Sequence, residues 1–177
     1  MSKPRGMILP MTRTEAVARA RSQAGKRIKY SLSRGGKYPD EPIGDRCDCS
    51  GFTAWCLGFD RLQPNGFESR GGYASTDAML HDAAHAQQYF EEVVEPLPGD
   101  LVVYGSKYTN GKRVAVGHCG VVVSVAQDGR NAWERAKVID CASRHYKRLG
   151  FAVAEAPDGR LWGNKGGKFL RYVRFTG

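Results

Sequence analysis

The sequence predicts an α+β fold in which N-terminal helices pack on a C-terminal antiparallel β-sheet. Two observations predict it. Up to about residue 88 the chain carries helix signals: capping residues followed by apolar positions three and four apart. After "PLPGD" (96–100) it changes to short Val-rich runs with strand character. Helices first and strands afterwards is the order of a segregated fold, not of an alternating parallel one.

The elements follow from local chemistry. "TRTE" (12–15) is a capping box, and Val17, Ala20 and Ala24 continue an apolar stripe that Gly25 stops. A loop rich in Gly, Pro and charge covers 31–46. A second helix starts at about Asp48 to Ser50 and ends near Gly58, with Phe52, Trp55, Cys56 and Phe59 on its apolar face. A third runs from Thr76 as cap to about Gln88. Strands are expected at 101–104, 117–125, 136–142, 151–156 and 168–176.

Length and composition set limits. A chain of 177 residues is read as a single domain spanning 1–177 and buries roughly 70% of its unfolded surface. It needs no disulfide or metal for stability, and five cysteines do not form a paired framework. No apolar run approaches the roughly 20 residues of a membrane span. "MILPM" is too short for a secretory leader, so synthesis in the cytoplasm and delivery to the cell wall or periplasm by other machinery are expected.

The net charge of +9 lies entirely in the basic N-terminal segment 1–37, which holds ten Lys/Arg against one acid, Glu15. A smaller cluster, Arg160, Lys165, Lys168, Arg171 and Arg174, closes the chain. Together the two ends would offer a surface to anionic cell-wall polymers or other polyanions. No basic recognition helix with interleaved aromatics accompanies them, which argues against nucleic acid as the partner.

The chemistry centres on "CDCSG" (47–51). Cys49 falls in the first turn of a helix, where the helix dipole and unpaired N–H groups favour a thiolate and can hold an oxyanion. Cys56 reads as core, and Cys47 precedes the helix without such support. A nucleophilic thiol needs a base. His118 opens a strand in which His118, Gly120 and Val122 share one face and Cys119, Val121 and Val123 the other. A hairpin symmetric about Gly129 sets Asp140 opposite His118, where an aspartate can orient the imidazole. A zinc site built from the Cys-x-Cys pair with His118, Cys119 and Cys141 is the competing reading, opposed by strand alternation. Asp77, His81 and His85 share a helical face that reads as solvated or substrate-lining. His145 falls in a loop with no partner.

"DCSGF" opening a helix, then "PGDLVVY", "GHCGVVV" and "VIDCAS" resemble, in that order, the motifs of NlpC-type cell-wall cysteine peptidases, a papain-like group related to the CHAP amidases. "YSLSRGG" (30–36) resembles the family's tyrosine and paired glycines ahead of the nucleophile. The resemblance implies a papain-like fold and a peptidoglycan hydrolase acting on stem peptides without a cofactor or metal, of the kind found among phage lysis or tail enzymes and antibacterial effectors. It makes Cys49 the nucleophile, His118 the base and Asp140 the orienting residue, an aspartate being the CHAP-style choice. It assigns Tyr30 to the site, with Tyr38 as alternative, and matches Asp48 and Ser50 to positions that contact the free amino end of the stem peptide. An acyltransferase or deamidase on the same scaffold and a non-enzymatic basic nucleic-acid-binding domain are the alternatives.

Overall fold

The computed structural model describes residues 8–62, 74–156 and 160–176; Lys3 and Arg5 of the basic segment and the side chain of Arg160 lie outside them. The fold is mixed. Helix α1 (Arg13–Gln23) is followed by two short strands, β1 (Lys29–Tyr30) and β2 (Arg46–Cys47), then α2 (Cys49–Cys56) and α3 (Thr76–Ala84). Next come β3 (Phe90–Val93), β4 (Leu101–Tyr104), β5 (Lys107–Thr109), β6 (Lys112–Ala115) and β7 (His118–Val125). The chain continues through α4 (Ala132–Arg135), β8 (Ala136–Cys141), α5 (Ser143–Leu149), β9 (Val153–Glu155), α6 (Arg160–Gly163) and β10 (Lys168–Tyr172).

Six strands form one antiparallel sheet in the order β3-β10-β4-β7-β8-β9. Strand alternation divides its side chains between two apolar clusters. Leu101, Val103, Cys119, Val121 and Ile139 face the helices α1, α2 and α3. Val102, Val122, Val138 and Phe169 point the other way, where Trp162 and Trp133 cover them. Among the described residues no helix is long and apolar enough to cross a membrane.

The capping box of α1 is present, with Thr12 and Glu15 bonding each other's backbone N–H groups. Its buried stripe is Ala16, Ala20 and Gln23: Ala20 is as expected, while Ala16 and Gln23 take the places expected for Val17 and Ala24. Helix α2 starts at Cys49 with Asp48 as cap, and all eight of its residues are buried. Helix α3 differs at both ends. Ser75, not Thr76, caps it, and it stops at Ala84. The buried Asp82 carboxylate accepts the N–H groups of Gln88, Tyr89 and Phe90, which pulls the chain out of the helix and into β3.

The hairpin that carries the candidate site also departs from the symmetric count. Asp140 pairs with Gly120, not with His118. A bulge between Val122 and Ser124 and the short helix α4 in the connection displace the register. The displacement is two residues, so Asp140 and His118 stay on one face. Gly120 is what makes the placement possible: a Cβ there would lie 2.6 Å from Val138 Cγ1 and 3.0 Å from Asp140 Cβ.

The two ends of the described chain meet. Thr176 donates its N–H to the Met11 carbonyl at 2.8 Å, and Arg13 and Arg171 converge on the buried Asp100 carboxylate. Arg19 and Arg21 bond backbone carbonyls, Lys168 pairs with Glu92, and Arg174 bonds the Gln88 carbonyl. Much of the expected basic surface is therefore spent on joining elements. Lys26, Arg27, Lys29 and Lys37 stay exposed.

Candidate functional site

Cys49 sits on the first turn of α2, packed against the start of β7, and only 4% of its surface is exposed. Two glycine contacts fix this helix start. A Cβ on Gly36 would lie 1.9 Å from the Gly51 carbonyl oxygen, and one on Gly51 would lie 2.5 Å from Arg61 Nη1. The "RGG" loop and the "CSG" turn can meet only because both are glycine there. Gly51 donates to Asp48 Oδ1 and Phe52 to the Asp48 carbonyl. Of the first-turn amides, those of Cys49 and Ser50 have no protein acceptor among the described residues.

His118 opens β7 and contacts the Cys49 thiol. Its Nε2 lies 2.7 Å from Asp140 Oδ2, so Nδ1 is the nitrogen left for the thiol. Asp140 is fully buried on β8. The structure thus brings Cys49, His118 and Asp140 together in the expected sequence of contacts. The Cys49 thiol is held well below its ordinary value, first by a hydrogen bond from the Cys119 thiol and then by the charge and hydrogen bond of His118, which together overcome burial. Burial pulls His118 down, but the Cys49 thiolate and the Asp140 carboxylate raise it to about 10. Burial pushes Asp140 up, yet its bonds to His118 and His145 and the Arg144 charge bring it below the usual carboxylate range. A thiolate facing an imidazolium is the state these contacts favour, and it supplies a nucleophile beside a proton carrier.

The other cysteines differ from Cys49 in what they bond. Cys56 is buried and its thiol is pushed up by burial. Cys47 directs its thiol to the Asp48 carbonyl, and Cys141 donates to the Cys47 carbonyl. Cys119 bridges Thr53 Oγ1, at 3.4 Å, and Cys49. Among the described residues no group of three or more His, Cys, Asp or Glu is arranged to hold a metal ion.

Tyr30, half-buried on β1, lines a cleft of about 350 Å³ together with Leu32, His118 and Arg144. Its hydroxyl is pushed up, first by burial and then by the charge of Cys49, which marks its nearness to the thiol. Tyr38 lines a separate hollow in the 34–46 loop, away from Cys49. Asp48 and Ser50 line a second cleft, of about 270 Å³, on the other side of Cys49, with Asp77 and Arg113 at its margin. Leu32, Val116 and Gly117 belong to both clefts, so the two flank the thiol as one continuous groove. Asp48 is already engaged: Arg61 Nη2 lies 2.6 Å from its Oδ2 and the Ser33 N–H at 2.6 Å from the same oxygen. Burial raises the Asp48 carboxyl, and Arg61 opposes that. Asp77 accepts the Ser106 N–H, while the His81 and His85 rings meet at a tilt, with centroids 4.5 Å apart and planes 50° apart.

Sequence reasoning missed four residues here. Arg61, 2% exposed, ties Asp48 to Ser50 and to the Arg34 carbonyl. Trp162 stacks on the His118 ring with centroids 5.1 Å apart and planes 11° apart, and so walls one side of the imidazole. Arg144 and His145 both bond Asp140. His145 is in helix α5 and 1% exposed, not in a partnerless loop. Only "VIDCASRH", an acid followed four and five residues later by two basic residues, hinted at the last pair.

No family model matches the chain, and no curated protein matches it.

Proposed function

We propose that the chain is a cysteine peptidase or amidase of papain-like fold that cleaves amide bonds in peptidoglycan stem peptides. One observation carries the reading: a first-turn thiol, Cys49, interacts with an imidazole, His118, whose far nitrogen is held at 2.7 Å by a buried carboxylate, Asp140, and the thiol and the imidazole line adjoining clefts. The motif order that resembles the NlpC-type peptidases supplies the substrate class.

The geometry supports a two-step acyl transfer. The Cys49 thiolate attacks the carbonyl carbon of the scissile amide, and the developing oxyanion is placed for the Cys49 N–H, with the Tyr30 hydroxyl nearby. The His118 imidazolium gives its Nδ1 proton to the departing amine as the C–N bond breaks, which leaves a thioester on Cys49. Neutral His118 then takes a proton from water, whose oxygen attacks the thioester. Collapse releases the carboxylic acid and restores the thiolate and imidazolium. Asp140 keeps Nε2 protonated and Nδ1 directed at the thiol throughout.

Digestion of purified peptidoglycan followed by mass spectrometry of the soluble fragments tests the reading. New amino and carboxyl ends within stem peptides are expected from the wild-type protein, and none from folded Cys49→Ala. A folded wild-type protein that leaves peptidoglycan intact but releases ammonia from glutamine side chains, or moves an acyl group from a thioester to an amine, would replace the wall substrate with the deamidase or acyltransferase alternative.

A further inference from the structure

The geometry points to His145 as a positioning residue that fixes the Asp140 carboxylate and through it the His118 ring, an inference that rests on reading Cys49 and His118 as the reacting pair. Asp140 is 0% exposed and has two oxygens with different duties. Oδ2 faces His118 Nε2 at 2.7 Å and also receives Arg144. Oδ1 faces His145 Nε2 at 2.5 Å. Arg144 is half exposed at the groove and pulls on the oxygen that His118 needs. With Oδ1 unheld, the carboxylate is free to turn about its Cβ–Cγ bond toward that arginine. His145 prevents the turn by holding the opposite oxygen.

The protonation of His145 follows from its surroundings. A carboxylate only accepts, so Nε2 must carry a proton. Nδ1 is buried and has no hydrogen-bond partner among the described residues. A proton on that nitrogen would be a buried donor left unsatisfied, so the neutral Nε2–H tautomer fits the site. A neutral donor orients Asp140 without adding a second full positive charge to compete with the His118 imidazolium. The same bond anchors α5, whose cap residue Ala142 offers no side-chain hydrogen bond. The helix that delivers His145 is thus fastened to the carboxylate that His145 orients.

Two substitutions and one wild-type measurement test this. His145→Phe keeps the ring shape and removes the donor. His145→Gln puts an amide N–H close to the Nε2 position. Alkylation of Cys49 by iodoacetamide at neutral pH reports the thiolate without any substrate. His145→Phe is expected to slow alkylation and lower kcat about tenfold, less than loss of the base itself, with KM changed less than about twofold. His145→Gln is expected to restore most of both. Imidazole ¹⁵N chemical shifts of the wild-type protein should show His145 as the neutral Nε2–H tautomer, which needs no variant to fold. A folded His145→Phe with wild-type alkylation and kcat, a His145→Gln as impaired as His145→Phe, or a His145 ring protonated at Nδ1 would each overturn the assignment. Alkylation that responds as expected in a protein inert toward peptidoglycan would leave the positioning role standing and remove only the wall substrate.

Discussion

Asp140 and Asp100 are both fully buried carboxylates ringed by cations, yet they do different work. Asp100 receives Arg13 at 2.6 Å, Arg171 at 3.3 Å and the Leu97 N–H at 2.8 Å. Its cations come from α1 and β10, and it joins the beginning of the fold to its end. Asp140 receives His118, His145 and Arg144. One of these, His118, passes the interaction on to a thiol in an open groove. A buried, cation-ringed carboxylate is therefore no mark of a reactive site by itself. What separates the two is what the partner touches next: Arg13 and Arg171 go on to the backbone carbonyls of Pro98 and Glu95, whereas the second nitrogen of His118 is left for a thiol.

The comparison breaks most sharply at the far end of the Asp140 chain. Cys49→Ala removes the proposed nucleophile, and the proposed peptidoglycan hydrolysis should fall to background, while Cys47→Ala should keep most of it. Equal loss in both would mean that the two thiols work together.

Substitution of the carboxylates themselves comes next. Asp140→Asn should lower kcat by about a hundredfold or more, because the amide can present a donor to Nε2 and favour the wrong tautomer. Asp140→His should be milder than Asp140→Ala, since an imidazole can still face Nε2. Asp100→Ala should leave kcat per folded molecule near wild type and cost roughly 3 kcal/mol of stability, the scale for stranding buried or half-buried charges. Thermal melting and steady-state kinetics on the variants read both quantities. An Asp100→Ala protein with normal stability, or an active, folded Asp140→Asn, would undo the distinction.

The pH dependence sharpens it. Cys49 is depressed, so its thiolate persists as pH falls well below the ordinary thiol value of 9.0. His118 is raised, so the imidazolium lasts until pH climbs through about 10. The alkylation rate of Cys49 should rise on the acid side and show no ordinary thiol step at 9. Hydrolysis should decline only as pH passes about 10, where the proton for the leaving amine is lost. A simple alkylation midpoint near 9 would show a thiol without its partner. The smallest effect concerns the groove. Tyr30→Phe should lower kcat by up to about tenfold if its hydroxyl helps hold the oxyanion, and Tyr38→Phe should leave it unchanged.

Much of this was legible in the sequence because it is local. Asp48 as cap, Cys49 on the first turn, and the Val-rich strands β4, β7 and β8 follow from capping chemistry and alternation. Strand β3, "FEEV", was missed because it is an edge strand whose glutamates face solvent and Lys168, so it has no apolar signature. The Asp140 register was missed by two residues because the connection, which holds α4, turns later than Gly129 and a bulge then takes one residue back, and neither leaves a mark in composition. His145 was missed because a seven-residue polar helix with no N-terminal side-chain cap shows no apolar stripe, and its partner is a tertiary contact. The Cys49–Cys119 contact crosses from a helix to a strand, and alternation alone placed Cys119 away from the site.

The Asp100 junction also has a mechanical consequence. Tension applied between Met11 and Thr176 would load their mutual bond and the Arg13–Asp100–Arg171 bridge first, because these close the path between the two residues. The groove between α2 and β7 lies off that path. A pull between those two residues would be borne by the clasp before it could shift Cys49 relative to His118.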